Sequence, residues 1–279
     1  MKISGFTIVR NAIKYDYPLI ESISSILPIV DEFIVNVGNS EDNTLELIRS
    51  IPSGKIKVIE STWDDSIQKY GLIFSIQTNI ALSHCTGDWA FYLQADEVIH
   101  EKDLPKLVAV MEKQLDNPRI LGLMFRYLHF YGDYYSLNPW FYHKAIRIIR
   151  NNGSVKSCGD AVGFCTQDGH YLNNLKDRWI HTGVKVYHYG YVKNSLTLLE
   201  KMRYQISRYH GNQPPPDEAK LVSQPDYSFE NYDIMKEFRG THPKVMERRI
   251  KGFPRLMPRR NRWLNWRFYR EVFRHGFKG

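Results

Sequence analysis

Four short apolar segments, spaced by helix-length amphipathic stretches, limit this chain to one kind of architecture in its first half. Residues 3–9 read as a strand that runs into Arg10-Asn11. Residues 18–27 then place Leu19, Ile20, Ile23, Ile26 and Leu27 on one helical face. A second buried strand, 33–37, opens into Gly38-Asn39-Ser40-Glu41-Asp42, after which Asn43 and Glu46 have the spacing of a capping box. A third strand over 57–60, a helix over 67–82 and a wholly apolar strand over 89–93 complete the series. Strands separated by helices need crossover connections, so the expected fold class is α/β, with a mostly parallel central sheet and helices on both faces. Ligands of such sheets sit beyond the carboxyl ends of the strands. Three of the four strands lead directly into polar or acidic residues there: Arg10-Asn11, residues 38–42 and residues 94–97.

The pattern changes after a helix over 104–115, whose Pro105 suits a first-turn position. Strands are expected over 121–130, 145–149 and 184–187, and a helix over 195–210. Aromatic residues crowd the stretch from Tyr127 to His143, which reads as a lid over an acceptor or as core. Pro214-Pro215-Pro216 breaks the chain before an irregular, basic end. This divides the 279 residues into 1–118, a ligand-binding α/β half; 119–212, an acceptor-side part of the same domain; and 213–279, a basic, aromatic extension. From His242 onward 12 Lys or Arg face two acids, so that segment carries +10 and the remainder −2, against +8 in all. A nucleic-acid footprint spread over the whole fold is therefore not expected. Trp and Tyr mixed with Arg in the extension suit an anionic membrane interface, a basic helix packed on its own domain, or a homo-oligomer contact. No apolar run is long enough to span a bilayer, and no leader-like segment opens the sequence. Cys85, Cys158 and Cys165 have no metal-binding spacing and are expected to be reduced, with Cys158 and Cys165 the one pair able to bridge; the expected location is cytoplasmic, including the inner face of the membrane.

Asp96 and Glu97 are adjacent carboxylates just past a buried strand. Such hard oxygen ligands suit Mg²⁺ or Mn²⁺ carrying a diphosphate. The equally weighted alternative is a solvated acidic loop that starts the next helix.

The order of these segments resembles the family 2 glycosyltransferases, which have the GT-A (nucleotide-diphospho-sugar transferase) fold. The resemblance rests on Ile8-Val9-Arg10-Asn11-Ala12, on Val35 through Thr44, on Gly87-Asp88-Trp89 and on Gln94-Ala95-Asp96-Glu97. It covers residues 2–115 well and 120–210 more loosely. It implies a transferase that moves a sugar from a nucleoside-diphosphate donor to a glycan or lipid-linked acceptor, with inversion and with Mn²⁺ or Mg²⁺. By position, Thr7, Val9, Arg10 and Asn11 would line the nucleotide pocket, and Asn36, Gly38 and Asn39 would face base and ribose. Asp42 would close that loop, Asn79 would approach the nucleotide, and Gln94 and Ala95 would lie beside it. Asp96, Glu97 and His188 would hold the metal. Lys193 and Lys201 lie near His188 in sequence and are further candidates to face phosphate. Two departures stand out: Asn36 and Gln94 occupy positions where the family carries acids, so charge for a metal is reduced. An inverting transferase also needs a base for the acceptor hydroxyl. Asp160 is the candidate, being the only carboxylate between Asp133 and Asp168; an ordinary turn Asp beside Gly159 is its alternative. Competing readings are a donor-binding but catalytically weak relative, a nucleotidyltransferase, disfavoured because no Gly-rich loop follows the first strand, and a nucleic-acid binder acting through the basic extension.

Overall fold

The computed structural model describes residues 1–229, 234–256 and 262–276. Strands β1 (Ile3–Val9), β2 (Glu32–Val37), β3 (Ile56–Glu60) and β4 (Trp89–Tyr92) lie in the order β3-β2-β1-β4 and are all parallel. Between and after them come helices α1 (Leu19–Ile26), α2 (Thr44–Arg49), α3 (Leu72–Ser83) and α4 (Leu104–Lys113). Side chains alternate across a strand, and this assigns the two faces. Ile3, Val9, Phe33, Val35, Trp89 and Phe91 share a core with α1, α2 and α4. Phe6, Ile8, Ile34, Ala90 and Tyr92 share the opposite core with α3. Helices therefore cover both faces, as expected.

Two local expectations are corrected. Asn43 makes no side-chain cap; Asp42 instead accepts from the backbone N–H and the hydroxyl of Thr44 at the start of α2. The third helix begins at Leu72, five residues later than expected, because Tyr70 and Gly71 both have positive φ, incompatible with a continuing helix.

Beyond β4 the sheet continues with antiparallel neighbours. Its further strands are β5 (Glu97–Ile99), β6 (Gly122–Tyr131), β7 (Ser136–Leu137) and β8 (Lys144–Arg150). β8 pairs with β4 on one side and β6 on the other. A hairpin of β9 (Val155–Cys158) and β10 (Gly163–Thr166) follows, and then the long β11 (Trp179–Tyr191), parallel to β6 and antiparallel to β5. The expectation of reduced cysteines fails here: Cys158 and Cys165 form a disulfide that ties β9 to β10, while Cys85 is a free, buried thiol.

The chain then forms α5 (Ser195–His210), capped by Asn194, and α6 (Pro216–Val222). The segment expected to be irregular holds β12 (Lys236–Glu237), paired with β7, and helices α7 (Glu247–Ile250) and α8 (Trp266–His275). Met246 packs with Phe130, Tyr134, Tyr187 and Tyr189. Arg259 and Arg260 of the basic segment lie outside the described residues.

Candidate active site

The carboxyl ends of β1 and β4 open into a cleft of about 530 Å³, closed on the far side by α5 and by the β9–β10 hairpin. Of the residues expected to form the site, Val9, Arg10, Gln94, Ala95, Asp96, Asp160, His188 and Lys201 line it.

Asp96 follows β4 and lies at the cleft wall with 7% of its surface exposed. Its Oδ2 accepts from Lys201 Nζ of α5 at 3.0 Å, and its Oδ1 lies 3.7 Å from Nε2 of His188 on β11. Gly190 makes this convergence possible. A Cβ there would stand 2.5 Å from Asp96 Oδ2, 2.7 Å from His188 Cε1 and 2.8 Å from Lys201 Nζ. Burial pushes the Asp96 carboxyl up, but the Lys201 ammonium outweighs it, joined in acid by His188 once that ring is protonated, and the group is held well below the usual carboxylate range. Burial takes the His188 imidazole down to about 4, so it is neutral at pH 7 and keeps a nitrogen lone pair.

Glu97 is not part of this cluster, contrary to expectation. Asp96 lies in a turn closed by the Glu97 N–H on Gln94 O at 2.9 Å, and Glu97 is the first residue of β5, beyond that turn. The Glu97 carboxylate is fully buried against Arg147 of β8, at 2.8 Å on both oxygens, and accepts from Tyr127 at 2.8 Å. Asn79 is also placed differently: on α3 it binds the backbone of Ser157, accepting at 2.8 Å and donating at 3.0 Å, and so docks β9. Asn36 shares its face with Ile34, beneath α3, where its amide donates to Gln77. Thr7 is fully buried within β1.

The loop residues serve to shape the rim. Asn11 has φ of 58°, tolerated by Asn, and its side chain accepts from Glu41 N while its own N–H donates to Ser40. Gly38 leaves room for Trp63, whose indole would lie 2.6 Å from a Cβ there, and Asn39 accepts from Trp63 N. Asp42 accepts from Lys14 N at 2.7 Å and so closes the loop against the chain after β1. Arg10 makes two bonds to Asp65, at 2.7 and 3.2 Å, and donates to Asn39 O. Arg208 shares Asp65, so two guanidiniums face one carboxylate, held below its ordinary range by the Arg10 hydrogen bond.

Asp160 lies in the hairpin loop bracketed by the disulfide, beside Gly159 and the positive-φ Ala161. Tyr209 of α5 donates to its Oδ2 at 2.7 Å, and Val162 N to its Oδ1 at 3.1 Å. The aromatic stretch contributes His129, Phe141 and Tyr142 to the cleft, while Tyr127 is committed to Glu97. Sequence reasoning missed Gly190, Tyr204, Arg208 and Tyr209. The signal was present for α5: residues 201, 204, 205, 208 and 209 recur at helical spacing and mark one face.

The site thus joins strand ends of a parallel sheet to a buried carboxylate, a neutral imidazole and several cations. A family model described as glycosyl transferase family 2 matches residues 6–166. The chain belongs to this family. It is 25% identical over 241 residues to an uncharacterized glycosyltransferase, RT0209, of Rickettsia typhi, covering 85% of this chain and 73% of that protein. Among solved structures it is similar to TarS of S. aureus, with a TM-score of 0.43 and 15% identity over 80% of this chain and 70% of that one. It is also similar to glucosyl-3-phosphoglycerate synthase of Mycobacterium tuberculosis, solved with Mn²⁺, UDP and glucosyl-3-phosphoglycerate, with a TM-score of 0.38 and 18% identity over 67% of this chain and 71% of that one. This family 2 chain is a glycosyltransferase, and its sheet has the GT-A arrangement that the sequence implied. No helix among its described residues is long and apolar enough to cross a membrane.

Proposed function

We propose that this glycosyltransferase seats a nucleoside-diphosphate sugar in the cleft beyond β1 and β4 and passes the sugar, with inversion, to a hydroxyl of a glycan or lipid-linked acceptor. The observation that carries the reading is the buried Asp96, paired with Lys201 and facing a neutral His188 on the cleft wall.

Asp96 and His188 fit a divalent ion that completes its coordination on the donor. Asp96 Oδ1 and His188 Nε2 converge, whereas no group of three His, Cys, Asp or Glu side chains among the described residues could hold one unaided. Mn²⁺ or Mg²⁺ bound there would supply charge to a departing diphosphate. Gln94, neutral and beside Asp96, is available to hydrogen-bond ribose or a bound water. Asp160, oriented by Tyr209, is the base that takes the acceptor's proton as the new glycosidic bond forms. For a lipid-linked acceptor, α8 offers a fitting surface: Trp266, Tyr269 and Phe273 are exposed on a helix that also carries Arg267, Arg270 and Arg274.

Two variants test the reading. Asp96→Asn is expected to abolish sugar transfer with the fold intact, and Asp160→Asn to lower kcat by about 10²–10⁴-fold with donor affinity unchanged. Unaltered turnover in either variant removes that residue from the mechanism. A panel of nucleoside diphosphates with Mn²⁺, screened for a rise in Tm, identifies the base.

A further inference from the structure

We propose that Lys201 is a fixed cation for the donor's diphosphate, sharing that role with a divalent ion; the inference rests on the donor reading above. A buried ammonium must be compensated on all sides. Lys201, 2% exposed, donates to Asp96 Oδ2 at 3.0 Å and to the carbonyl of Gly190 at 3.0 Å. The faces of Tyr17 and Tyr191 lie 5.1 and 5.5 Å from its Nζ. An ammonium has three protons to donate, and among the described residues no third acceptor engages this one. Both Lys201 and Asp96 line the cleft, so the remaining N–H is available to a ligand oxygen.

The charge balance separates this role from simple neutralisation of Asp96. At the cleft wall Asp96 and Lys201 cancel, and Gln94 beside them is an uncharged amide. Glu97 is consumed by Arg147 on the other side of the chain. A free divalent ion therefore meets a carboxylate already matched by a cation and has little electrostatic reason to stay. A diphosphate, by contrast, meets an ammonium proton that no protein acceptor takes among the described residues, and the Arg10 guanidinium on the cleft wall, which shares Asp65 with Arg208. The metal then binds on the nucleotide, and the nucleotide keeps part of its affinity without the metal.

Calorimetry on the full chain with uridine, guanosine, adenosine, cytidine and thymidine diphosphates, each in MnCl₂ and in EDTA, tests this. The diphosphate that binds in Mn²⁺ is expected to bind in EDTA too. Lys201→Gln should weaken that EDTA binding by about tenfold or more, as for a lost charge-assisted hydrogen bond, and Lys201→Arg should recover most of it. MnCl₂ alone should give no saturable heat. Loss of all wild-type binding in EDTA overturns the proposal, and this arm decides even if Lys201→Gln does not fold. Equal EDTA affinities of wild type and a folded Lys201→Gln also overturn it. If none of the five diphosphates binds in Mn²⁺, the donor reading itself falls, and the role of Lys201 with it.

Discussion

Glu97 and Arg147 have no exposed side-chain surface, and Tyr127 adds a third hydrogen bond to the pair. Removing one partner of such a pair leaves a bare buried charge, which costs about 3–5 kcal/mol. Glu97→Gln is therefore expected to lower stability by that order in urea unfolding, while the affinity of the folded protein for a nucleoside diphosphate in Mn²⁺ stays close to wild type. A large loss of the Mn²⁺-dependent part of that affinity at unchanged stability would return Glu97 to the metal site. Adjacency of Asp96 and Glu97 is visible in the sequence, whereas the turn at residues 95–96 that separates their carboxylates is not. The partner of Glu97 stands fifty positions away, and nothing local in residues 94–97 names it. Arg10, Asp96 and His188 were legible for the opposite reason: Arg10 directly follows β1, Asp96 lies four residues beyond β4, and His188 follows the apolar run 184–187 within β11, so local pattern delivers each to the cleft.

At the level of elements, period-two and period-3.6 patterns made β1 to β4 and their helices readable, since each buries a continuous apolar face. β5, β7 and β12 are two or three residues long, too short to carry a pattern, and the four residues of β9, unlike those of β4, are not all apolar. Only residues 184–187 of β11 were read, because exposed Lys185 is the one interruption there, while the strand's first half holds polar and partly exposed residues. The segment that carries His242 was unreadable for another reason: it is held by side chains. The His242 ring accepts from the Tyr189 hydroxyl at 2.8 Å and donates to Tyr134 O at 2.8 Å, a pattern for the neutral imidazole. Burial lowers this histidine to about 4. Between pH 6.5 and 4 the unfolded chain takes a proton that the native site refuses, so stability is full above about 6.5 and falls as the pH drops toward 4. Buried His129, lowered to about 3, and His188 act in the same direction; Glu32, lowered to about 2, adds its loss only below its unfolded value near 4.5. Urea midpoints from pH 7 to pH 4.5 should therefore decline. His242→Gln should start lower at pH 7 and decline less steeply; an identical slope would mean that His242 titrates alike in both states.

Over the whole molecule, the site draws on widely separated stretches of chain: the ends of β1 and β4, the aromatic stretch around His129 and Tyr142, the β9–β10 loop, β11 and α5. The resemblance used to read the sequence was strongest over residues 2–115, which invites the idea that residues 1–118 form a self-sufficient donor-binding unit. The sheet argues against it. β8 covers the edge of β4 through Trp89, Ala90 and Phe91, and among the described residues β5 is paired only through β11. Cutting the chain at residue 118 exposes that edge, removes Arg147 from Glu97, and takes Lys201 and His188 from Asp96. An open apolar strand edge with two buried carboxylates left unmatched favours association over folding. Residues 1–118 alone are thus expected to show no cooperative thermal transition and no binding of nucleoside diphosphates, and to bind a hydrophobic dye. A fragment that melts cooperatively and binds the donor would show that the antiparallel half only decorates the parallel one, and that Lys201 and His188 are dispensable to the diphosphate.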